Sequence, residues 1–214
     1  MNGGAYLRRI LIVDKDTAVY EKHIAEWAKY DIDALRVDSM YEALLRIIHG
    51  DKFYFIVINE DSVPNFILQL SVMRDATVIP ILIYTSSFTV EKKIMALENG
   101  ADMYDPFADN PKNSVLEAIE HIKVQNRWAD HPDPLPVLIG GDIILSPSRR
   151  IVIFNDKEVH LARKEFEVLE YLMSSRSKFI EHAQLMHDIW HDESDHDHNV
   201  LYQTIYSQHA WLHY

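Results

Sequence analysis

Three stretches of the chain, 10–13, 53–58 and 79–84, are almost unbroken in apolar residues. A strand with one solvated face alternates; a continuous apolar run is buried on both faces, as in a parallel sheet. Amphipathic stretches at 19–28, 41–48, 66–73, 90–98 and 115–124 separate or follow these runs and predict helices. Strand–helix alternation predicts an α/β, doubly wound parallel-sheet domain, with functional groups at the carboxyl ends of its strands. The pattern then changes. Short alternating runs at 142–145, 150–154 and 158–161, separated by SPSR and NDK turns, predict a small antiparallel sheet. An apolar stripe of Leu161, Phe166, Leu169 and Leu172 follows, then a polar break. A second stripe of Leu185 and Ile189 is closed by Trp190. Two such helices with a third following predict a helix-turn-helix, whose usual work is entering the DNA major groove. The same periodicity suits any small helical bundle.

Residues 125–137, QNRWADHPDPLPV, hold three prolines and interrupt both periodicities. They divide the 214 residues into a first domain over 1–124, a linker over 125–137 and a second domain over 138–214. There is no cysteine, so disulfides and thiolate metal sites are excluded and a reducing compartment fits. Arg8-Arg9 precedes too short an apolar run for a signal segment, and no run approaches the roughly 20 residues of a membrane span. A cytoplasmic protein with no membrane partner is expected. The net charge of -12 argues against a generic nucleic-acid binder, so any DNA contact must come from a local basic patch. No glycine-rich phosphate loop with lysine, GxSxG or cysteine nucleophile supports an enzyme.

Leu161-Ala-Arg-Lys-Glu-Phe166, Leu169, Leu172, Phe179-Ile180, Leu185 and Ile189-Trp190 resemble the winged-helix effector domain of OmpR/PhoB-type two-component response regulators. The sheet-then-helices order agrees. Ile10-Leu-Ile-Val-Asp14, Pro80-Ile-Leu-Ile-Tyr-Thr85, and Gly100-Ala-Asp-Met-Tyr104 with Pro106-Phe107, resemble the family's receiver domain. Together the two resemblances cover nearly the whole chain in the family's domain order. They imply a transcription regulator whose partners are promoter DNA, a sensor kinase or RNA polymerase, and a second copy of the receiver. In the family that copy docks through the fourth helix, fifth strand and fifth helix. Lys92, Lys93, Glu98 and Asp102 fall there in this sequence, where opposite charges could pair across a two-fold axis.

The resemblance breaks at its chemical centre. A receiver takes a phosphoryl group on an aspartate ending its third strand, where Asn59 stands here. Two carboxylates after the first strand hold a divalent metal, a hard cation that prefers oxygen ligands. Here Lys15 replaces the second acid between Asp14 and Asp16. Asp105 precedes Pro106 in place of the lysine that contacts the phosphoryl group. Thr85 and Tyr104 match the family's switch residues. These departures predict a pseudo-receiver that works without phosphate or cofactor. Lys15 either pairs with Asp14 or Asp105 or points into water. Glu60 and Asp61 sit one and two residues late, and strand alternation would turn Glu60 away. Regulation would then come from constitutive dimerisation, a small ligand or a partner protein.

The effector departs too. Its recognition helix falls near 199–212, with Leu201, Ile205 and Leu212 at the buried spacing. Tyr202, Gln203, Thr204, Tyr206, Ser207, His209 and Ala210 face outward, with no arginine or lysine among them. Gln can still pair with adenine and Thr can meet a thymine methyl. The sequence is expected to stop before the family's C-terminal hairpin. Arg149, Arg150, Arg163, Lys164, Arg176 and Lys178 are the candidate phosphate contacts. His187 and His191, and likewise His209 and His213, are four apart and could share a zinc site, although a solvated acidic loop explains them as well. A protein-interaction module that does not read DNA is the alternative function.

Overall fold

The computed structural model describes residues 8–106, 134–175 and 179–190. The chain divides into two compact units, Met1–Val137 and Leu138–Tyr214.

The first unit runs β1 (Arg8–Val13), α1 (Thr17–Ala28), β2 (Ile32–Val37), α2 (Met40–Ile48), β3 (Phe55–Asn59), a 3-10 turn (Glu60–Ser62), α3 (Phe66–Ala76), β4 (Ile81–Thr85), α4 (Val90–Glu98) and β5 (Met103–Pro106). The five strands form one parallel sheet in the order β2-β1-β3-β4-β5. The three apolar runs are its central strands. Ile10, Ile12, Phe55, Val57 and Leu82 pack with Trp27 and Ile32 into one core. The chain moves to opposite sides of β1 for β2 and β3, so a crevice opens at the carboxyl ends of β1 and β3. Asp14, Asn59 and Thr85 stand at that edge.

The strand β2 is not apparent in the apolar pattern. It is an edge strand, with Ile32, Ala34 and Val37 buried but Asp33 exposed, so its polar positions hide it. The predicted helix over 115–124 lies outside the described residues.

Arg74 closes the α3–β4 corner. Its guanidinium donates to the carbonyls of Gly100 (2.8 Å), Thr77 (3.2 Å) and Ile79 (3.2 Å), and to Asp102 (2.7 Å). Burial lowers the Arg74 pKa, against the pull of Asp102, but a guanidinium stays charged throughout. Gly100 ends α4 in a Schellman motif. Its N–H donates to Leu97 O (3.3 Å), and the N–H of Ala101 donates to Ala96 O (3.0 Å).

The second unit begins with an antiparallel meander, β6 (Leu138–Gly140), β7 (Ile143–Ser146), β8 (Ile151–Phe154) and β9 (Lys157–Val159). The predicted run over 158–161 ends at Val159, and the strand at 138–140 is an addition to the sequence reading. Asn155 and Asp156 both have positive φ, as a two-residue hairpin turn requires. Two helices follow, α5 (Arg163–Ser174) and α6 (His182–Trp190). The apolar stripe read from the sequence is corrected here. Leu172 is 38% exposed, while Val168 is fully buried. α5 lies between two neighbours and needs two apolar faces. Phe166, Leu169 and Met173 meet Leu145 and Val152 of the sheet; Val168 and Tyr171 meet Leu185, Ile189 and Trp190 of α6. Among the described residues no helix is long and apolar enough to cross a membrane.

Candidate signalling pocket at the strand ends

Asp14 leaves the end of β1 almost wholly buried, at 1% exposure. Its Oδ1 accepts from Asn59 Nδ2 (3.0 Å), Ser62 Oγ (2.7 Å) and the Asp16 N–H (2.9 Å). Its Oδ2 accepts from the Tyr84 hydroxyl. Four protein donors thus reach the carboxylate, three of them on Oδ1 and one on Oδ2. Burial, then the bond to Asp14, raises the Tyr84 pKa, so the phenol remains a donor.

These groups do not fit the divalent cation that a receiver holds. Asn59 turns its amide N–H toward Asp14 and uses its oxygen on the N–H of Asp61 (3.0 Å). Asp16 caps α1 by accepting from the Ala18 N–H (2.9 Å). Lys15 is exposed and forms no ion pair with another described residue. Its backbone N–H donates to Ser62 Oγ (3.3 Å). The pairing of Lys15 with Asp14 or Asp105 is therefore corrected, because protein donors already surround the buried acid. Asp105 stands beside Tyr84 in the β4–β5 register, half-buried, and its carboxylate makes no hydrogen bond to another described residue. Among the described residues no group of three or more His, Cys, Asp or Glu is placed to hold a metal ion.

A second cluster adjoins the first. Once the chain leaves β3 for the 3-10 turn, strand alternation no longer governs, and the expectation for Glu60 is overturned. Glu60 faces inward, accepting from the Tyr104 hydroxyl and pairing with Lys92 at 3.0 Å. Asp61 accepts from Thr85 Oγ1 (3.2 Å) and from the Ser86 N–H (2.7 Å). Lys92 also donates to Ser87 Oγ (2.7 Å), and the Phe88 ring lies 5.8 Å from that of Tyr104. Thr85 and Tyr104 are both buried, and burial followed by the Glu60 contact raises the Tyr104 pKa. Lys92 and Asp102, expected on a dimer face, are engaged within the chain by Glu60 and Arg74. The sequence reading missed Ser62 and Tyr84. The one signal for Tyr84 was a hydroxyl-bearing ring inside an otherwise aliphatic strand.

In the second unit Arg163 pairs with Glu167 at 2.8 Å. Lys164 pairs with the same acid at 3.0 Å, donates to Ile189 O (2.5 Å) and lies over the Trp190 ring. The Arg163 bond, ahead of the opposing effect of burial, lowers the Glu167 pKa. Gln203, Thr204, Tyr206, Ser207 and His209, with His191, His209 and His213 of the histidine pairs, lie outside the described residues.

Residues 156–208 match the family described as "Transcriptional regulatory protein, C terminal". The transcriptional regulatory protein CutR of Streptomyces coelicolor is 34% identical over 184 residues, covering 81% of this chain and 79% of CutR. The chain belongs to the OmpR/PhoB-type response regulators. A second relative, the DNA-binding dual master transcriptional regulator RpaA of Synechocystis, is 26% identical over 199 residues, 88% of this chain and 80% of RpaA. The first unit has the fold of a CheY-like receiver domain protein from Methanospirillum hungatei. That match has a TM-score of 0.50 and 22% identity, and covers 56% of this chain and 98% of that one. The chain is thus a two-component transcriptional response regulator, with a receiver followed by a winged-helix effector. Within this regulator, Asn59, Asp14 and Tyr84 meet at the carboxyl ends of β1, β3 and β4.

Proposed function

We propose that this response regulator binds promoter DNA without being phosphorylated, as a dimer assembled through its receiver. The observation that carries the reading is the Asn59 amide at the end of β3, held against a buried Asp14 whose two oxygens both accept from protein donors. An amide cannot form an acyl phosphate, and protein donors already hold both oxygens of Asp14. Family membership and the name of RpaA support DNA as the partner. The effector residues Gln203, Thr204, Tyr206, Ser207 and His209 would read bases, with Arg163 and Lys164 near the phosphates. Anisotropy titrations against DNA from upstream of the gene, beside an unrelated duplex, test this. Selective binding should weaken as salt rises, because phosphate contacts release counterions. It should be unchanged by acetyl phosphate with Mg²⁺; a response to that donor would end the phosphate-free reading.

The outer face of α4 supports the dimer. Val90, Ile94 and Leu97 are 61%, 50% and 40% exposed and lie on one side of the helix. Lys93 flanks this side, with Glu91 and Glu98 on the other. A two-fold parallel pairing sets Lys93 of one copy against Glu98 of the other. Ile94→Asp places a charge at the centre of that contact and should weaken self-association about tenfold or more in sedimentation equilibrium. Unaltered association would move the interface elsewhere.

A second reading, a protein-interaction module, draws on one observation. Arg163 and Lys164 are already paired with Glu167, which leaves less charge for phosphates. Absence of DNA binding even at low salt would favour it.

A further inference from the structure

We propose that the Thr85 hydroxyl and the Ser86 N–H form an anion cradle whose permanent occupant is the chain's own Asp61 carboxylate. Asp61 is thus a positioning residue for the loop into α4. The inference rests on the phosphate-free reading and names what holds the receiver's shape in that state.

Two donors of different origin, one a side chain and one a backbone amide, converge on a single carboxylate. Thr85 Oγ1 reaches Asp61 Oδ1 at 3.2 Å and Ser86 N reaches Oδ2 at 2.7 Å. Convergent donors of this kind bind anions, and a charged acceptor strengthens each bond. Thr85 is fully buried at the end of β4, so it offers a fixed donor. Asp61 is exposed and enters from the outer side, from the 3-10 turn that Asn59 begins. The occupant is tethered. A tethered ligand acts at a high effective concentration, so free anions compete poorly with it.

The position of the cradle determines what it controls. Ser86 begins the loop that ends at Thr89, whose hydroxyl accepts from the Lys92 N–H and caps α4. The adjacent Glu60 holds the first turn of α4 through Lys92 and holds β5 through Tyr104. Two successive carboxylates from one turn therefore fasten the end of β4, the start of α4 and the middle of β5. Removing Asp61 frees the Ser86 N–H and leaves the Thr85 hydroxyl with Ser87, while the Glu60 contacts stay in place.

The test is amide hydrogen exchange at Ser86 in the full-length chain, for wild type, Asp61→Ala and Asp61→Asn, with and without sodium formate. Formate supplies the carboxylate that the alanine variant lacks. In Asp61→Ala, Ser86 exchange should accelerate about tenfold, the loss of roughly one hydrogen bond. Formate should restore protection while sodium chloride does not. Asp61→Asn keeps one acceptor oxygen and should fall between the two, and it carries the test should the alanine variant fail to fold. Wild type should ignore formate. Unchanged Ser86 exchange in both variants, or accelerated exchange that formate leaves unrepaired, would overturn the proposal. Acetyl phosphate labelling of the wild type would instead overturn the phosphate-free reading, so the two failures are distinct.

Discussion

Replacing Asn59 with aspartate is expected to destabilise the chain by about 2–4 kcal/mol at neutral pH, although it restores the residue receivers normally carry. The Asn59 amide donates to Asp14 Oδ1 at 3.0 Å, and Asp14 is buried. Aspartate turns that hydrogen bond into two oxygen acceptors facing each other, and like charges at this spacing cannot both remain ionised without cost. At roughly 2–4 °C per kcal/mol for a chain of this size, the melting temperature should fall by about 5–15 °C. The pH dependence follows from the sign of the shift. Two facing carboxylates resist carrying two charges, so the second ionisation of the pair in the variant is raised above that of a free carboxylate. The penalty is therefore full above the folded pKa and shrinks as the pH falls and one acid takes up a proton. Adding Tyr84→Phe and Lys15→Glu removes the donor on Asp14 Oδ2 and supplies a third carboxylate. Mg²⁺ should then raise the melting temperature of the triple variant and leave wild type unchanged. An Asn59→Asp chain as stable as wild type at pH 7, with no pH dependence of the difference, would mean that Asp14 is not held as described.

Gly100→Ala is expected to cost about 3–4 kcal/mol, read as a lower midpoint in urea with an unchanged slope. Gly100 has φ +109, and a Cβ there would lie 2.6 Å from both Cβ and Cγ of Arg74. Those atoms lie near the backbone and cannot swing clear. Either α3 shifts from the end of α4, or the guanidinium gives up bonds to Gly100, Thr77, Ile79 and Asp102. Gly50→Ala is the control. Its φ of +89 also disfavours a side chain, but an added Cβ meets nothing within 4 Å. It should lose only the conformational part, about 1 kcal/mol. Equal losses at the two glycines would show that backbone strain alone, and not Arg74, sets the requirement.

Much of the receiver was legible because its central strands are buried on both faces, which leaves continuous apolar text at β1, β3 and β4. Asp14, Asn59 and Thr85 could be placed at the strand ends for the same reason. The edge strand β2 was not legible, since one solvated side breaks its pattern with Asp33 and Arg36. Glu60 was misread because a period of two was carried past the point where the strand becomes a 3-10 turn. No periodicity reveals that a tyrosine inside β4 donates to an acid after β1, because that contact joins residues 70 apart. In the effector, a single-stripe reading chose Leu172 over Val168. A helix packed on both a sheet and a second helix needs a wider apolar arc than one stripe describes.

Ala96 is the one buried residue of α4. The helix is fastened at its start by the Thr89 cap and the Lys92–Glu60 pair, and at its end by the Schellman motif beside Arg74. It is pinned at both ends and buried along its span only at Ala96, and elements with so little burial sit at the low end of local stability. In the proposed dimer, a second copy laid over Val90, Ile94 and Leu97 would add support there. Association and the ordering of this helix would then be one process, with the concentration of the protein as the variable that sets how much of α4 is firmly formed.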